Sequence, residues 1–442
     1  MKTVCNITRK KSSKLKKEIV YNFNGGNITS DGGVKLIESV DAKLELCKSI
    51  VAVLDDKRKQ SKITHTLYNL IQQRLYQITM GYEDCNDANE LRNDPAFKIA
   101  LGKLPESDAA LASQPTLTRF ENSITKKEIY NLATTLVRQY ATDKLKSGVP
   151  KRIILDIDAT DDPTHGAQQY TLFHGYFHQY MYFPLLVFDG ETGDIISSLL
   201  RPGTAHSSHS AKALLKRIIK ILREYFPDTE FVIRGDAGFG VPEMYDFCEK
   251  NRYKYILGLS GNEVLKKKTT VYRNRAEKMF EKTQNKQKLY ASFKYQAGSW
   301  QRERQVIVKA EYNRHGPNTR YIVTNINFSA PKMAYEYYCQ RGKMENYIKD
   351  LKNDLFMDRL SCHRYLANCF RMSMSCYAYT LMQELRRWLK GSVFEGKQTN
   401  TIRLKLLKIG ARVKESVRRV WINFSSSFVY KELFSSLLND FY

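Results

Sequence analysis

Three acids in three different surroundings are the residues of this sequence best placed to do chemistry. Asp158 ends the run KRIILDID, Asp236 follows the run EFVIRG, and Glu345 lies within YYCQRGKMENYIKDLKNDLF. A carboxylate on an otherwise Ile- and Leu-rich strand costs several kcal/mol to bury unless a partner neutralises it. Asp156 and Asp158 are two apart, so a strand carries both on one face. Gly235 and Gly238 flank Asp236 and let backbone or ligand approach closely. Two strand-borne aspartates and one helix-borne glutamate offer the hard oxygen ligands that Mg²⁺ prefers. Two such ions, about 4 Å apart, activate an attacking hydroxyl and stabilise the leaving oxygen of a phosphodiester.

The stretch around Glu345 carries three further long polar side chains, Tyr338, Arg341 and Lys352. At ~100° per residue these four fall within an arc of roughly 60°. Met344, Ile348, Leu351 and Leu355 form the neighbouring apolar stripe, so the helix presents a charged strip at the border of its packed face. Such a strip either lines a cleft or is a solvated face with an Arg341–Glu345 pair at i, i+4. Asp161 and Asp162 read as cap or turn residues. His174 and His178 are four apart with His165 nearby, yet no cysteine joins them, and structural or DNA-facing roles outweigh zinc. His206 and His209 fall at a helix start and read as caps or surface groups.

The elements that must position these acids follow from the pattern. Residues 1–17 carry seven Lys or Arg and no acid, which predicts a basic arm. Residues 18–148 have apolar residues at three- and four-residue steps and read as a mostly helical domain after a short strand, with SQPTLTRFENS as a loop entering a helix. Residues 149–261 run strand, strand, strand, helix, strand, helix, strand. Residues 262–330 read as a β-rich insertion, and helical pattern resumes over 331–390. Residues 391–442 are basic, with mixed strand-like and helix-like signals.

The chain has 442 residues, 42% of them hydrophobic, which is a globular composition with room for two or three domains. Lys and Arg number 71 against 46 Asp and Glu, for a net charge of +25 and a pI near 9.5. The surplus clusters over 1–17, 266–288 and 386–420, which points to a polyanionic partner. Eight cysteines without CxxC spacing fit a reduced, cytoplasmic setting. The N-terminus lacks the apolar core of a signal peptide, and no apolar run approaches the ~18 residues of a membrane span.

Tyr338, Arg341, Glu345 and Lys352 match a Y-(2)-R-(3)-E-(6)-K spacing that resembles the signature of a large group of bacterial DDE transposases. With LDIDATDDPTHG, FHGYFHQYMYFPL, RGDAGF and TIRLKLLKIGARV, the chain resembles the insertion sequence thirteen-eighty family over nearly its whole length. The resemblance implies an α/β fold with an RNase H-like catalytic domain, a mixed sheet flanked by helices and interrupted by a β-rich insertion. It implies Asp158, Asp236 and Glu345 as the catalytic, metal-binding triad. Asp158 is preferred over Asp156 because DAT matches the D-x-T form, with Asp156 an alternative. It further implies two Mg²⁺ ions (or Mn²⁺ in their place), DNA phosphate contacts from Tyr338, Arg341 and Lys352, and a Trp300 that stacks on a flipped base or packs in a β-core. The implied partners are the terminal inverted repeats and target DNA, bound by a homodimer in the nucleoid. A nuclease without joining activity and a non-catalytic DNA-binding derivative are the rival readings.

Overall fold

The computed structural model describes residues 8–11 and 18–439. Of the expected basic arm, Thr8–Lys11 form a strand paired antiparallel with Glu18–Tyr21, and the remainder lies outside the described residues. The chain divides into two compact units. The first takes in the described residues of Met1–Ala52, Asp56–Glu121 and Leu381–Tyr442, the second those of Val53–Asp55 and Asn122–Thr380.

The first unit is mostly helical but does not coincide with residues 18–148: the helix Lys126–Leu145 lies in the second unit. Helix Leu67–Met80 begins at Thr66, whose side chain accepts from the Asn69 amide, and ends at Gly81 in the left-handed region. The stretch expected as a loop entering a helix is helical over Gln114–Ser123. Pro115 occupies its first turn, where a missing N–H costs nothing, and Leu117 and Phe120 bury one face. The basic C-terminal region belongs to this same unit rather than standing apart. Its strand Ala411–Glu415 pairs with both Asn27–Thr29 and Val420–Phe424.

The second unit is built on an eight-stranded mixed sheet. Its strands, in chain order, are β1 Arg152–Ala159, β2 Leu185–Asp189, β3 Ile195–Leu199, β4 Glu230–Gly235, β5 Lys254–Leu259, β6 Gln287–Tyr295, β7 Arg304–Asn313 and β8 Gly316–Thr324. Across the sheet they run β6-β7-β8-β5-β4-β1-β2-β3. β1, β4 and β5 are parallel neighbours, and β2 and β3 form an antiparallel hairpin on the β1 side. The alternation of β1 divides it cleanly. Ile153, Leu155 and Ile157 enter the main core with Leu214, Leu215, Ile218 and Ile219 of the amphipathic helix α1, Ala211–Tyr225. Asp156 and Asp158 are left for the other face.

Residues 262–330 depart from the expected β-rich insertion in two ways. They open with a 21-residue helix, α2, Glu263–Thr283, whose Asn262 cap accepts from the Leu265 amide. The strands after it do not form a separate body: β8 pairs with β5, so β6–β8 extend the main sheet. The run of Lys and Arg within α2 hides its few buried positions, Leu265, Thr269 and Ala276, from a hydrophobic pattern. Among the described residues, no helix is long and apolar enough to cross a membrane.

Candidate active site

Asp158 and Asp236 stand at the ends of adjacent parallel strands. The last paired residues of β1 and β4 are Ile157 and Gly235, so each aspartate is one step beyond that rung. Asp236 keeps an extended backbone (φ −74°, ψ −172°) before the following turn, where it accepts from the Gly238 amide. Neighbouring strands lie about 4.8 Å apart, so the two carboxylates emerge side by side.

The segment bearing the other four residues is not one continuous α-helix. α3, Pro331–Cys339, leads into a 3-10 turn at Gln340–Gly342, then α4, Lys343–Lys349, then a π-helical turn at Asp350–Asp354. Ala334 and Tyr335 of α3 pack on Ile256, Ile307 and Ile322 of the sheet. Ile256 pairs with Arg234, and Arg234 with Asp156, so these residues cross one face in a row. That packing brings Tyr338 and Arg341 to the aspartates.

Arg341 is the hub. Its Nη1 donates to Asp158 Oδ2 at 2.9 Å, and its Nη2 lies 3.8 Å from Glu345 Oε1. Burial works against the Arg341 charge, but Asp158, Tyr338, Asp236 and Glu345 together raise its pKa above the ordinary value. Burial pushes the Asp158 carboxyl up to about 6; nearby Asp236 adds to the rise and Arg341 opposes it. Tyr338 is likewise raised by burial, with Arg341 lowering and Asp236 raising. Lys352 reaches the loop after β1, donating to the Asp161 carbonyl at 2.8 Å and lying 3.3 Å from Asp161 Oδ1.

Glu345 is the outlier, with a side chain 62% exposed. Among the described residues, no three His, Cys, Asp or Glu side chains stand close enough together to hold a metal ion. The pair at the strand ends still has the character of a cation site: two hard oxygen donors side by side, one of them, Asp158, raised by burial and paired with a guanidinium.

Asp156 is otherwise engaged. Arg234 grips it with both nitrogens, Nε at 2.5 Å and Nη2 at 2.6 Å, and both side chains are almost wholly buried. Arg234 also donates to the Tyr337 carbonyl at 2.8 Å, joining β4 to α3. Trp300 is buried at 5% exposure. Its ring meets Tyr245 at 5.2 Å and Tyr295 at 5.4 Å, with the Arg304 guanidinium 5.3 Å above it. Of its two expected roles, core packing is the one this conformation displays; stacking on a base needs an open ring face. His174 contacts Phe177 and Phe183 and accepts from the Tyr176 amide.

Two residues here escape sequence reasoning. Arg234 looks like one more basic residue beside Gly235. Gly258 gives no signal at all, yet a Cβ there would lie 2.6 Å from the Ala237 nitrogen and 2.9 Å from the Tyr338 hydroxyl. Its missing side chain lets Tyr338 reach the Asp236 turn.

A mixed α/β fold with acids at adjacent parallel strand ends and a basic, acid-bearing helical segment across them defines the class. The family described as "Transposase DDE domain group 1" matches residues 11–441, and the chain belongs to it. It is therefore a transposase of the DDE class, a class that uses divalent metal ions. No curated protein matches. Among solved structures, it is similar to a piggyBac transposase in a synaptic complex with hairpin DNA, seen by cryo-EM. The identity is 13% and the TM-score 0.40, over 93% of this chain and 78% of that one.

Proposed function

We propose that this protein is the transposase of a bacterial insertion sequence resembling the thirteen-eighty family. On this reading it binds the terminal inverted repeats of its element, hydrolyses a strand to free a 3′-hydroxyl, and joins that hydroxyl to target DNA. The observation that carries it is the side-by-side emergence of Asp158 and Asp236 beneath Arg341, which also reaches toward Glu345. The β3-β2-β1-β4-β5 portion of the sheet supports an RNase H-like catalytic domain.

Asp158 and Asp236 would hold a divalent cation, Mg²⁺ by donor type, and Glu345 would complete the set by turning inward on α4. A metal pair supplies Lewis-acid activation of the attacking oxygen and stabilisation of the leaving one. The chain's own groups do the rest. Arg341 releases Asp158 and turns its planar fork to a phosphate. Lys352 adds a point charge beside the strand end, and Tyr338 offers its hydroxyl. Basic surface on α2 and in the C-terminal segment holds the duplex backbone. Two ends brought together by a homodimer, acting in the cytoplasm at the nucleoid, complete the reading.

The test supplies labelled duplex carrying the inverted repeats that flank the coding sequence, together with target plasmid and Mg²⁺. Joined product is the expected result. Cleavage without joining selects a nuclease. Joining that persists in Glu345→Ala overturns the triad.

A further inference from the structure

Between Asp162 and Asp189 the sequence contains no Asp, Glu, Lys or Arg, in a chain of net charge +25. This stretch leaves the end of the Asp158 strand and returns as β2. Within it, Leu172–His174 and Gln179–Tyr182 pair antiparallel, with Phe173 opposite Tyr180. The reversal passes through Gly175–His178, and His178 adopts the left-handed region (φ 52°).

An apolar hairpin ordinarily turns one face to a core. Here Tyr170, Phe173, Tyr176 and Tyr180 are 61%, 49%, 82% and 60% exposed. The rings brace one another edge to face, Phe173 with Tyr180 at 5.5 Å and Tyr176 with Phe177 at 5.0 Å. Tyr170 also meets Tyr365 at 5.1 Å, and Phe177 backs onto Phe183 at 5.9 Å and His174 at 5.0 Å, so the hairpin is braced from behind while Phe173, Tyr176 and Tyr180 keep exposed ring faces. The base of the hairpin is tied down. Gln168 donates to the Leu360 carbonyl at 2.7 Å, and Tyr182 to the Gln169 carbonyl at 2.7 Å. Lys352 binds the Asp161 carbonyl just ahead of it. The base of the aromatic hairpin is thus anchored both to the Asp158 strand and to the segment bearing Lys352.

We infer that this hairpin is a base-stacking wedge, its tip residues Tyr176 and Phe177 pressing on nucleobases of the duplex beside the phosphodiester held at Asp158 and Asp236. The inference rests on the transposase reading above and adds a part to it. Without Lys or Arg the hairpin offers phosphates no ion pair, whereas every base offers a π-face to its exposed rings. Continuity with the strand that carries Asp158 puts the reacting DNA within reach of the tip. Aromatic insertion at a base step unstacks it and frees the strand to bend into the site.

The test uses the full chain and its end duplex, with 2-aminopurine at the base flanking the cleaved bond. Wild type should raise the 2-aminopurine fluorescence several-fold on binding. Y176A/F177A should bind within about threefold, lose that rise, and cleave the duplex at least tenfold more slowly. Mismatches flanking the bond should restore its cleavage. Y176A alone, at the most exposed of these rings, should show the same direction if F177A disturbs the fold. A double variant that matches wild type in fluorescence and cleavage overturns the wedge alone, as does a defect that mismatches fail to rescue. So does a double variant that sediments as monomer where wild type is a dimer, which would mark a surface for a second copy. Wild-type protein that neither binds nor cuts either substrate overturns the transposase reading and the wedge with it.

Discussion

Arg341 Nη1 lies 2.9 Å from Asp158 Oδ2 although the two residues are 183 apart in sequence. This ion pair opposes the rise that burial imposes on the Asp158 carboxyl, and it joins β1 to the segment bearing Glu345. On the proposed reading Asp158 would exchange Arg341 for a metal ion, because one carboxylate cannot serve both equally. Asp158→Asn should therefore abolish cleavage and joining, a fall of at least about 10³-fold, since metal stabilisation of the transition state is worth several kcal/mol. Binding of the end duplex should survive. Gel separation of cleaved and joined products, beside a mobility-shift titration, checks both. Cleavage by Asp158→Asn within tenfold of wild type would remove Asp158 from the reaction.

Asp156 sits deeper than Asp158 and faces a different arginine, and stability tells the two apart. Arg234→Ala should destabilise the second unit by about 3–5 kcal/mol, because it leaves the buried Asp156 charge without its bidentate partner. Asp156→Leu combined with Arg234→Met should cost much less, the charges having gone together. Urea unfolding of the three proteins reads this directly. Equal losses in the single and double variants would show that the cost comes from packing and not from the orphaned charge.

Periodicity made the main-sheet strands and the helices of 149–261 legible, because β1, β4 and β5 are short apolar runs and α1 has a clear amphipathic stripe, but not the short strands Asp162–Pro163, Leu172–His174 and Gln179–Tyr182. The two aspartates were legible as acids that break such runs. What stayed hidden has physical causes. The α2 helix buries only Leu265, Thr269 and Ala276 and exposes Val264, Val271 and Met279 among its charges, so no clean apolar period marks its packed face. The joining of β8 to β5 is a long-range pairing that no local pattern encodes. Arg234 and Gly258 act through what lies across a strand from them. Glu345 was read from one uniform helical wheel, whereas the segment passes through 3-10 and π geometry on either side of it. Its carboxylate accordingly sits apart from the two aspartates in this structure.

A pH test comes from the turn between β2 and β3. Asp189 is wholly buried, and burial alone would raise its carboxyl. Lys144 at 2.7 Å and Tyr140 at 2.7 Å more than offset that, leaving its pKa below the ordinary value. A depressed folded-state pKa contributes stability above the unfolded value, near 3.9, which is lost as pH falls through the folded value. Wild type should thus lose this contribution only in strong acid. Lys144→Met removes the main opposing charge, so burial then dominates and the sign reverses: the variant should be weakened at pH 7 and regain part of the loss as Asp189 takes up a proton on mild acidification. Denaturant midpoints from pH 7 down to pH 4 check this, and parallel curves for the two proteins would contradict it.

The charge on α2 gives the last prediction. Lys268 and Arg275 are exposed and seven residues apart, two turns along one side of the helix. No element described here gives them a structural partner, so their contribution to folding should be small, within about 0.5 kcal/mol on neutralisation. Their contribution to DNA binding should be large and indifferent to sequence, because phosphates are the same everywhere along a duplex. Lys268→Ala with Arg275→Ala should weaken the inverted-repeat duplex and a scrambled duplex by similar factors. If both residues meet phosphates, the slope of log affinity against log salt should fall in magnitude by about two. Mobility-shift or anisotropy titrations across a range of salt measure that slope. An unchanged slope with unchanged affinity would place the duplex on another face, and a loss confined to the inverted repeat would make these residues readers of sequence instead of holders of backbone.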